Sequence, residues 1–225
     1  MLLGGRSSRM GRAKALLELD GQALVERVAR RVQPLVDELV LVASPIEELG
    51  GEARAALDAI VARLTQAGAQ AGHPPPDPPA PVLPVHLVHD RLAFHGPVSG
   101  LAAGLGAARG ELAVALACDA PFLEPRLLAH LLALAAATGA DVVVPRREGR
   151  LEPLCAVYRV ATMAPLLAAQ LERDELRPSA RFDEVRTRIV DEVEWRALDP
   201  EGSSFVNLNS PADYRAARAR LGGAG

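Results

Sequence analysis

Leu112-Ala-Val-Ala-Leu-Ala117, residues 124–137 and Asp141-Val-Val-Val-Pro145 are the stretch from which the fold is read. The first and third runs are wholly apolar and of strand length, the pattern of strands buried on both faces. Residues 124–137 are rich in Leu and Ala, and Pro125 suits the first turn of a helix. Strand, helix, strand in that order predicts a parallel sheet covered by helices. The alternation extends upstream. Leu24, Val25, Val28, Ala29 and Val32 recur at helical spacing until Pro34, and Leu39-Val-Leu-Val-Ala43 is a strand candidate. Residues 47–71 read as a helix weakened at Gly50-Gly51, Val85-His-Leu-Val88 as a strand and 97–109 as a helix. Downstream the pattern loosens, with strands expected over 154–160 and 188–193 and helices over 163–171 and 211–221. Ser210 is placed to cap the last helix. The expected fold class is α/β, a three-layer αβα Rossmann-like fold with a mostly parallel sheet, in one domain over residues 1–225. Residues 73–84 contain seven prolines and read as an exposed loop inserted within that domain.

Composition narrows the function. A chain of 225 residues with 49% hydrophobic residues can bury a large core without staples. Net charge is -3 and aromatics are 3%, so neither a nucleic-acid footprint nor a stacking platform is expected. No apolar run is long enough to suggest a membrane span, and the start MLLGGRSSRM has no signal-peptide pattern. Two cysteines, Cys118 and Cys155, make no disulfide framework, so a reduced, cytoplasmic setting is expected.

The chemistry begins at Leu2-Leu-Gly-Gly-Arg-Ser-Ser-Arg-Met-Gly-Arg-Ala-Lys14. Gly4 and Gly5 let backbone N–H groups approach an anion closely. Arg6, Arg9, Arg12 and Lys14 place four positive charges within nine residues, which suits a triphosphate. Neither the P-loop nor the dinucleotide glycine pattern is present. A solvated basic loop with turn glycines is the alternative.

Chemistry on a triphosphate needs a carboxylate that holds Mg²⁺ near the phosphates. Asp119 stands just past the strand 112–117, where ligands gather in open α/β sheets. A turn or capping aspartate is the alternative. Asp90 follows its strand in the same way, ahead of Gly96-Pro-Val-Ser-Gly100. His86, His89 and His95 lack zinc spacing and read as surface or satisfied histidines. Cys118 reads as a packing residue rather than a nucleophile. Asn207 and Asn209 share a face of a short extended segment and could hold a polar ligand such as a phosphate, with a turn as the alternative.

These segments together resemble the molybdopterin nucleotidyltransferase family, and within it the molybdenum cofactor guanylyltransferases. Gly4, Gly5, Ser7, Arg9, Met10, Gly11 and Lys14 fall in register with its LxGGxSxRMGxxK signature. Asp90 to Gly100 resembles its D…GPxxG element, Ala117 to Phe122 its CDxP element, and Glu152 to Tyr158 its EPLxAxY element. Phe205 to Asp213 resembles its NxNTPxD element, with Ser210 in place of Thr. The likeness runs from Leu2 to about Leu221.

The resemblance implies a nucleotidyltransferase fold and transfer of GMP from GTP to molybdenum-molybdopterin, with Mg²⁺ as cofactor. Lys14, Arg9 and Asp119 would be catalytic, with Asp119 on the metal. Leu2, Leu3, Gly4, Gly5, Lys14, Asp90 and Asp119 would bind the nucleotide, and Asn207 and Asn209 the pterin substrate. Molybdoenzyme apoproteins and molybdopterin-delivery proteins are further implied partners. A cytidylyltransferase acting on the same cofactor is the nearest rival, but that relative has Ala-Gly where Gly4-Gly5 stand. Another small-metabolite nucleotidyltransferase and a non-catalytic nucleotide-binding relative are wider alternatives. The chain departs from the family at Leu3, where Ala is usual, at the proline-rich insertion, and at Ala43, where some members carry Asn. The strand ahead of Gly4 is only Met1-Leu-Leu3, about half the usual length, which leads to the expectation of a native start upstream.

Overall fold

The structure is a computed structural model that describes residues 1–3, 14–43, 50–66, 83–90 and 96–222. The proline-rich loop therefore lies outside the described residues except at Leu83 and Pro84.

Strand β3 (Leu39–Ala43) lies parallel to β4 (Val85–His89). A small hairpin, β1 (Glu18–Leu19) and β2 (Gln22–Ala23), precedes them. Leu2 forms parallel bridges to Val42 on one side and to Ala117 on the other, next to β5 (Leu112–Leu116). The Met1–Leu3 stub thus sits at the middle of the sheet, as expected for the strand that feeds the glycine-rich segment. Beyond β5 come β8 (Cys155–Arg159), β6 (Val142–Arg147) and β9 (Thr187–Val190). The order across the sheet is β4, β3, stub, β5, β8, β6, β9.

The sheet is mostly parallel with one interior exception. The strands β5 and β6 that opened the sequence reading do run in the same sense, but β8 lies between them, antiparallel to both. The reason is connection length. β6 turns at Glu148-Gly149, both at positive φ (49° and 75°), into the short β7 (Arg150–Leu151) and returns as β8. A parallel return needs a crossover of a dozen or more residues, which this connection lacks.

Helices cover both faces. α1 (Leu24–Val32), α2 (Gly51–Gln66) and α4 (Pro125–Thr138) bury Val28, Leu57 and Leu127 against one face. α3 (Gly96–Ala107) and α5 (Val160–Glu172) bury Leu101 and Leu167 against the other. α4 shows why its boundaries fall where they do. The Glu124 carboxylate accepts the Arg126 N–H at 3.1 Å, Pro125 opens the helix, and Gly139 closes it at φ 64°. One expectation fails here. Residues 188–193 are not a continuous strand: β9 ends at Val190 and α6 (Glu192–Arg196) follows. Trp195 of α6 is fully buried, stacks edge-on against Phe205 at 4.9 Å and donates its indole N–H to the Arg146 carbonyl, which fixes the downstream segment to β6. The closing helix α7 (Pro211–Gly222) begins where Ser210 was expected to cap it. Ser210 Oγ accepts the Asp213 N–H at 3.2 Å, and Asp213 Oδ2 accepts the Ser210 N–H at 2.8 Å. Among the described residues no helix is long and apolar enough to cross a membrane.

A titrating group lies at the sheet centre. The Met1 α-amine is buried, donates to the Val40 carbonyl at 2.6 Å, and burial pulls its pKa down from 8.0 to about 5. Between those values the unfolded chain holds a proton that the folded chain does not. Stability of the 225-residue chain is therefore expected to rise from pH 5 to pH 8, by up to about 4 kcal/mol. Urea denaturation at about pH 5.5 and about pH 8 checks this, and equal midpoints would contradict it.

Candidate active site

The stub, β3, β4 and β5 are mutually parallel, so their carboxyl ends open on one crevice. Backbone hydrogen bonds hold the rim together. The Cys118 N–H donates to the Leu2 carbonyl at 3.0 Å, and the Asp90 N–H donates to the Ala43 carbonyl at 2.8 Å. Gly100 lets α3 approach the stub: a Cβ there would meet a Leu2 methyl at 2.8 Å.

Asp119 stands just past β5, as read from the sequence. Lys14 reaches it from the start of the 3-10 helix Lys14–Leu16, which is anchored by the buried Ala15. The Lys14 ammonium donates to Asp119 Oδ2 and, at 2.8 Å, to Asn209 Oδ1. Both members of the ion pair are shielded, with side chains 17% and 14% exposed. Lys14 is thus drawn into a shielded ion pair rather than standing free in solvent.

Asn209 is brought there by a separate device. Leu208 is buried with Leu19, Leu24, Phe122 and Ala217 in a small cluster beneath α7. Its N–H donates to the Asp119 carbonyl at 2.9 Å, so the 207–209 segment is stitched to the end of β5. Asp213 accepts the Asn209 N–H at 2.9 Å. That bond, with those from Ser210, holds the Asp213 carboxyl below the usual aspartate range. Asn207 is exposed and stands apart from the Lys14–Asp119–Asn209 contacts.

Asp90 is held at the neighbouring strand end, where it accepts a hydrogen bond from Ser99 Oγ in the first turn of α3. Ser99 is 2% exposed. Sequence reasoning passed over Ser99 and Asp213. Both lie inside quoted segments, and the Ser-x-x-Asp spacing of a capping box was the available signal for Asp213. Leu2 and Leu3 lie at the crevice by backbone position. Gly4, Gly5 and Arg9 lie outside the described residues.

The donor set can be weighed for a cation. Asp119 Oδ1 is buried and has no hydrogen-bond partner among the described residues. A buried carboxylate oxygen left over from its ion pair suits a hard divalent ion, which needs only one or two protein carboxylates when phosphates and water complete its shell. Among the described residues no cluster of three His, Cys, Asp or Glu side chains forms an all-protein metal cage. The residues present therefore fit Mg²⁺ brought with a nucleotide. Cys118, 1% exposed, has its thiol pushed up to about 12, by burial first and then by the Asp119 charge. It packs, and no thiolate nucleophile stands in the crevice. Glu152 forms an ion pair with Arg147 at 3.0 Å.

The model of the MobA-like NTP transferase domain matches residues 1–185. A Desulfosudis oleivorans protein named molybdenum cofactor guanylyltransferase is 30% identical over 98% of this chain and 94% of its own. A probable molybdenum cofactor guanylyltransferase of Pelotomaculum thermopropionicum is 31% identical over 97% and 90%. Among solved structures, the molybdopterin-guanine dinucleotide biosynthesis protein A of Archaeoglobus fulgidus shares the fold. It superposes with a TM-score of 0.70 at 23% identity, over 99% of this chain and 97% of that one.

Proposed function

Because the chain belongs to the family of MobA-like NTP transferase domains, it is an enzyme of the nucleotidyltransferase class, and we propose that it transfers GMP from GTP to molybdenum-bearing molybdopterin. The observation that carries this reading is the shielded Lys14–Asp119 ion pair at the carboxyl ends of the central strands, met by Asn209 and with one Asp119 oxygen left over. The names of the relatives supply the pterin substrate and the guanine base.

In the proposed reaction a phosphate oxygen of molybdopterin attacks the α-phosphorus of GTP. A P–O bond forms to the acceptor, the α–β phosphoanhydride bond breaks, and pyrophosphate leaves. The attacking oxygen is already an anion, so no side chain has to remove a proton. The chain's part is positioning and charge neutralisation. Lys14 moves its ammonium from Asp119 to the incoming phosphates while Asn209 keeps it aimed. Asp119 would hold Mg²⁺, which neutralises phosphate charge when bound. Gly4, Gly5 and Arg9 belong to the proposed phosphate cradle. Asp90, fixed by Ser99, faces the nucleotide from β4. Asn207 and Asn209 line the acceptor side. Molybdoenzyme apoproteins and delivery proteins would receive and supply the pterin, in the cytoplasm.

The cytidylyl reading is tested first by binding. Titration calorimetry with Mg²⁺ is expected to show GTP binding at least about tenfold tighter than CTP, a difference of about 1.4 kcal/mol. Equal affinities would remove the base assignment while leaving the enzyme class standing.

A further inference from the structure

Glu152 heads the segment Glu152-Pro-Leu-Cys-Ala-Val-Tyr158, and the proposed reaction gives it no part. Cys155, at the start of β8, pairs with Leu116, at the end of β5. The turn over 152–155 therefore stands at the end of the sheet where Asp119 follows β5. Its backbone is fixed. The Glu152 N–H donates to the Pro145 carbonyl at 2.9 Å, and the Cys155 N–H donates to the Glu152 carbonyl at 3.0 Å. The hydroxyl of the buried Tyr158 donates to the Pro153 carbonyl at 2.7 Å. The side chain is fixed as well. Arg147, the last residue of β6, donates its Nε–H to Glu152 Oε1 at 3.0 Å. The Arg147 guanidinium lies over the Phe205 ring, 5.7 Å from its centroid, and Phe205 packs edge-on against Trp195. The Glu152 and Arg147 side chains are 25% and 36% exposed, so the carboxylate is aimed without being sealed in the core. It also has capacity left, because a carboxylate offers about four lone-pair sites. Asp199 and Asp213 differ in this respect. Asp199 accepts the N–H groups of Ser203 and Ser204, and Asp213 those of Asn209 and Ser210.

We propose that Glu152 recognises the pterin ring of the acceptor, its carboxylate accepting the 2-amino and N3–H donors of the aminopyrimidinone edge, with Arg147 as its positioning residue. This rests on the molybdopterin reading given above. The span fits that acceptor. Phe205, beneath Arg147, is three residues from Leu208, whose N–H donates to the Asp119 carbonyl, so at most about 10 Å of chain separates the two points. Molybdopterin carries its phosphate at the end of its fused rings opposite the aminopyrimidinone edge. An acceptor whose phosphate reaches the reacting centre at Asp119 can therefore lay that edge against Glu152. The chemistry fits as well. Two adjacent N–H donors match the two oxygens of a carboxylate, and a ring with oxygen in place of the 2-amino group turns an acceptor toward the same charge.

The test is anaerobic titration of the parent chain and Glu152→Gln with pterin, with lumazine, in which oxygen replaces the 2-amino group, and with metal-free molybdopterin. GTP is titrated in parallel. The parent chain is expected to bind pterin at least about tenfold tighter than lumazine. Glu152→Gln is expected to lose that preference and to bind metal-free molybdopterin at least about tenfold more weakly, with GTP affinity and thermal midpoint unchanged. Glu152→Asp is expected to restore part of the preference. In turnover, Glu152→Gln is expected to raise KM for molybdenum-bearing molybdopterin and to leave kcat nearly unchanged. Arg147→Met, which removes the positioning contact and keeps the carboxylate, is expected to weaken pterin less, and it serves should Glu152→Gln fail to fold. A pterin preference that survives Glu152→Gln, or equal weakening of GTP and molybdopterin, would overturn the subsite alone. A parent chain that binds no molybdopterin would overturn the acceptor reading together with it.

Discussion

Asp119→Asn is expected to leave the fold intact and to lower turnover by at least about a hundredfold. The asparagine keeps an oxygen that can accept from Lys14, so the contact that seats Lys14 survives in form. What disappears is the negative charge, and with it the donor for a hard cation. Metal stabilisation of charge developing on phosphate is worth several kcal/mol, and each 1.36 kcal/mol is about tenfold in rate. Circular dichroism and thermal melts should match the parent chain, while the Mg²⁺ concentration for half-maximal rate rises. Near-normal turnover at limiting Mg²⁺ would show that Asp119 does not hold the metal.

Lys14→Ala is expected to weaken GTP by about 2–4 kcal/mol while changing guanosine affinity little. The Lys14 ammonium is shielded, its side chain 17% exposed, so an ion pair there is screened less than one on the open surface. Its partner is Asp119, and a triphosphate offers stronger competition for the same charge. Calorimetry on nucleotide and nucleoside separates the two contributions. Equal losses for GTP and guanosine would mean that Lys14 acts on the fold of the crevice rather than on phosphate.

The parts of this molecule that could be read from the chain are those governed by local rules. The apolar runs at 39–43 and 142–145 are buried because nothing polar in them could face water. Ser210 caps its helix because the hydroxyl and the Asp213 carboxylate satisfy amides within one turn. Asp119 was placed by its position just past a strand. What escaped depended on distant partners or on turn chemistry not given its weight. The antiparallel β8 follows from the short Glu148-Gly149 return, and the β1–β2 hairpin from Asp20-Gly21, whose φ values are 56° and 71°. The Asn209 contact with Lys14 spans 195 residues of sequence and exists only because Leu208 is buried beneath α7. No periodicity reports such a contact. The Ser99 bond to Asp90 is of the same kind, since a serine in the first turn of a helix reads as a cap before it reads as a positioning group.

The central claim is tested most directly by the product itself. The purified chain is supplied with GTP, Mg²⁺ and molybdenum-bearing molybdopterin, with CTP as the parallel substrate. Mass spectrometry and a pyrophosphate assay then follow the mixture. The account predicts a guanine dinucleotide of the pterin and pyrophosphate in equal amounts, both lost with Asp119→Asn. Pyrophosphate and dinucleotide formed from CTP but not from GTP, or neither product from either nucleotide, would contradict it.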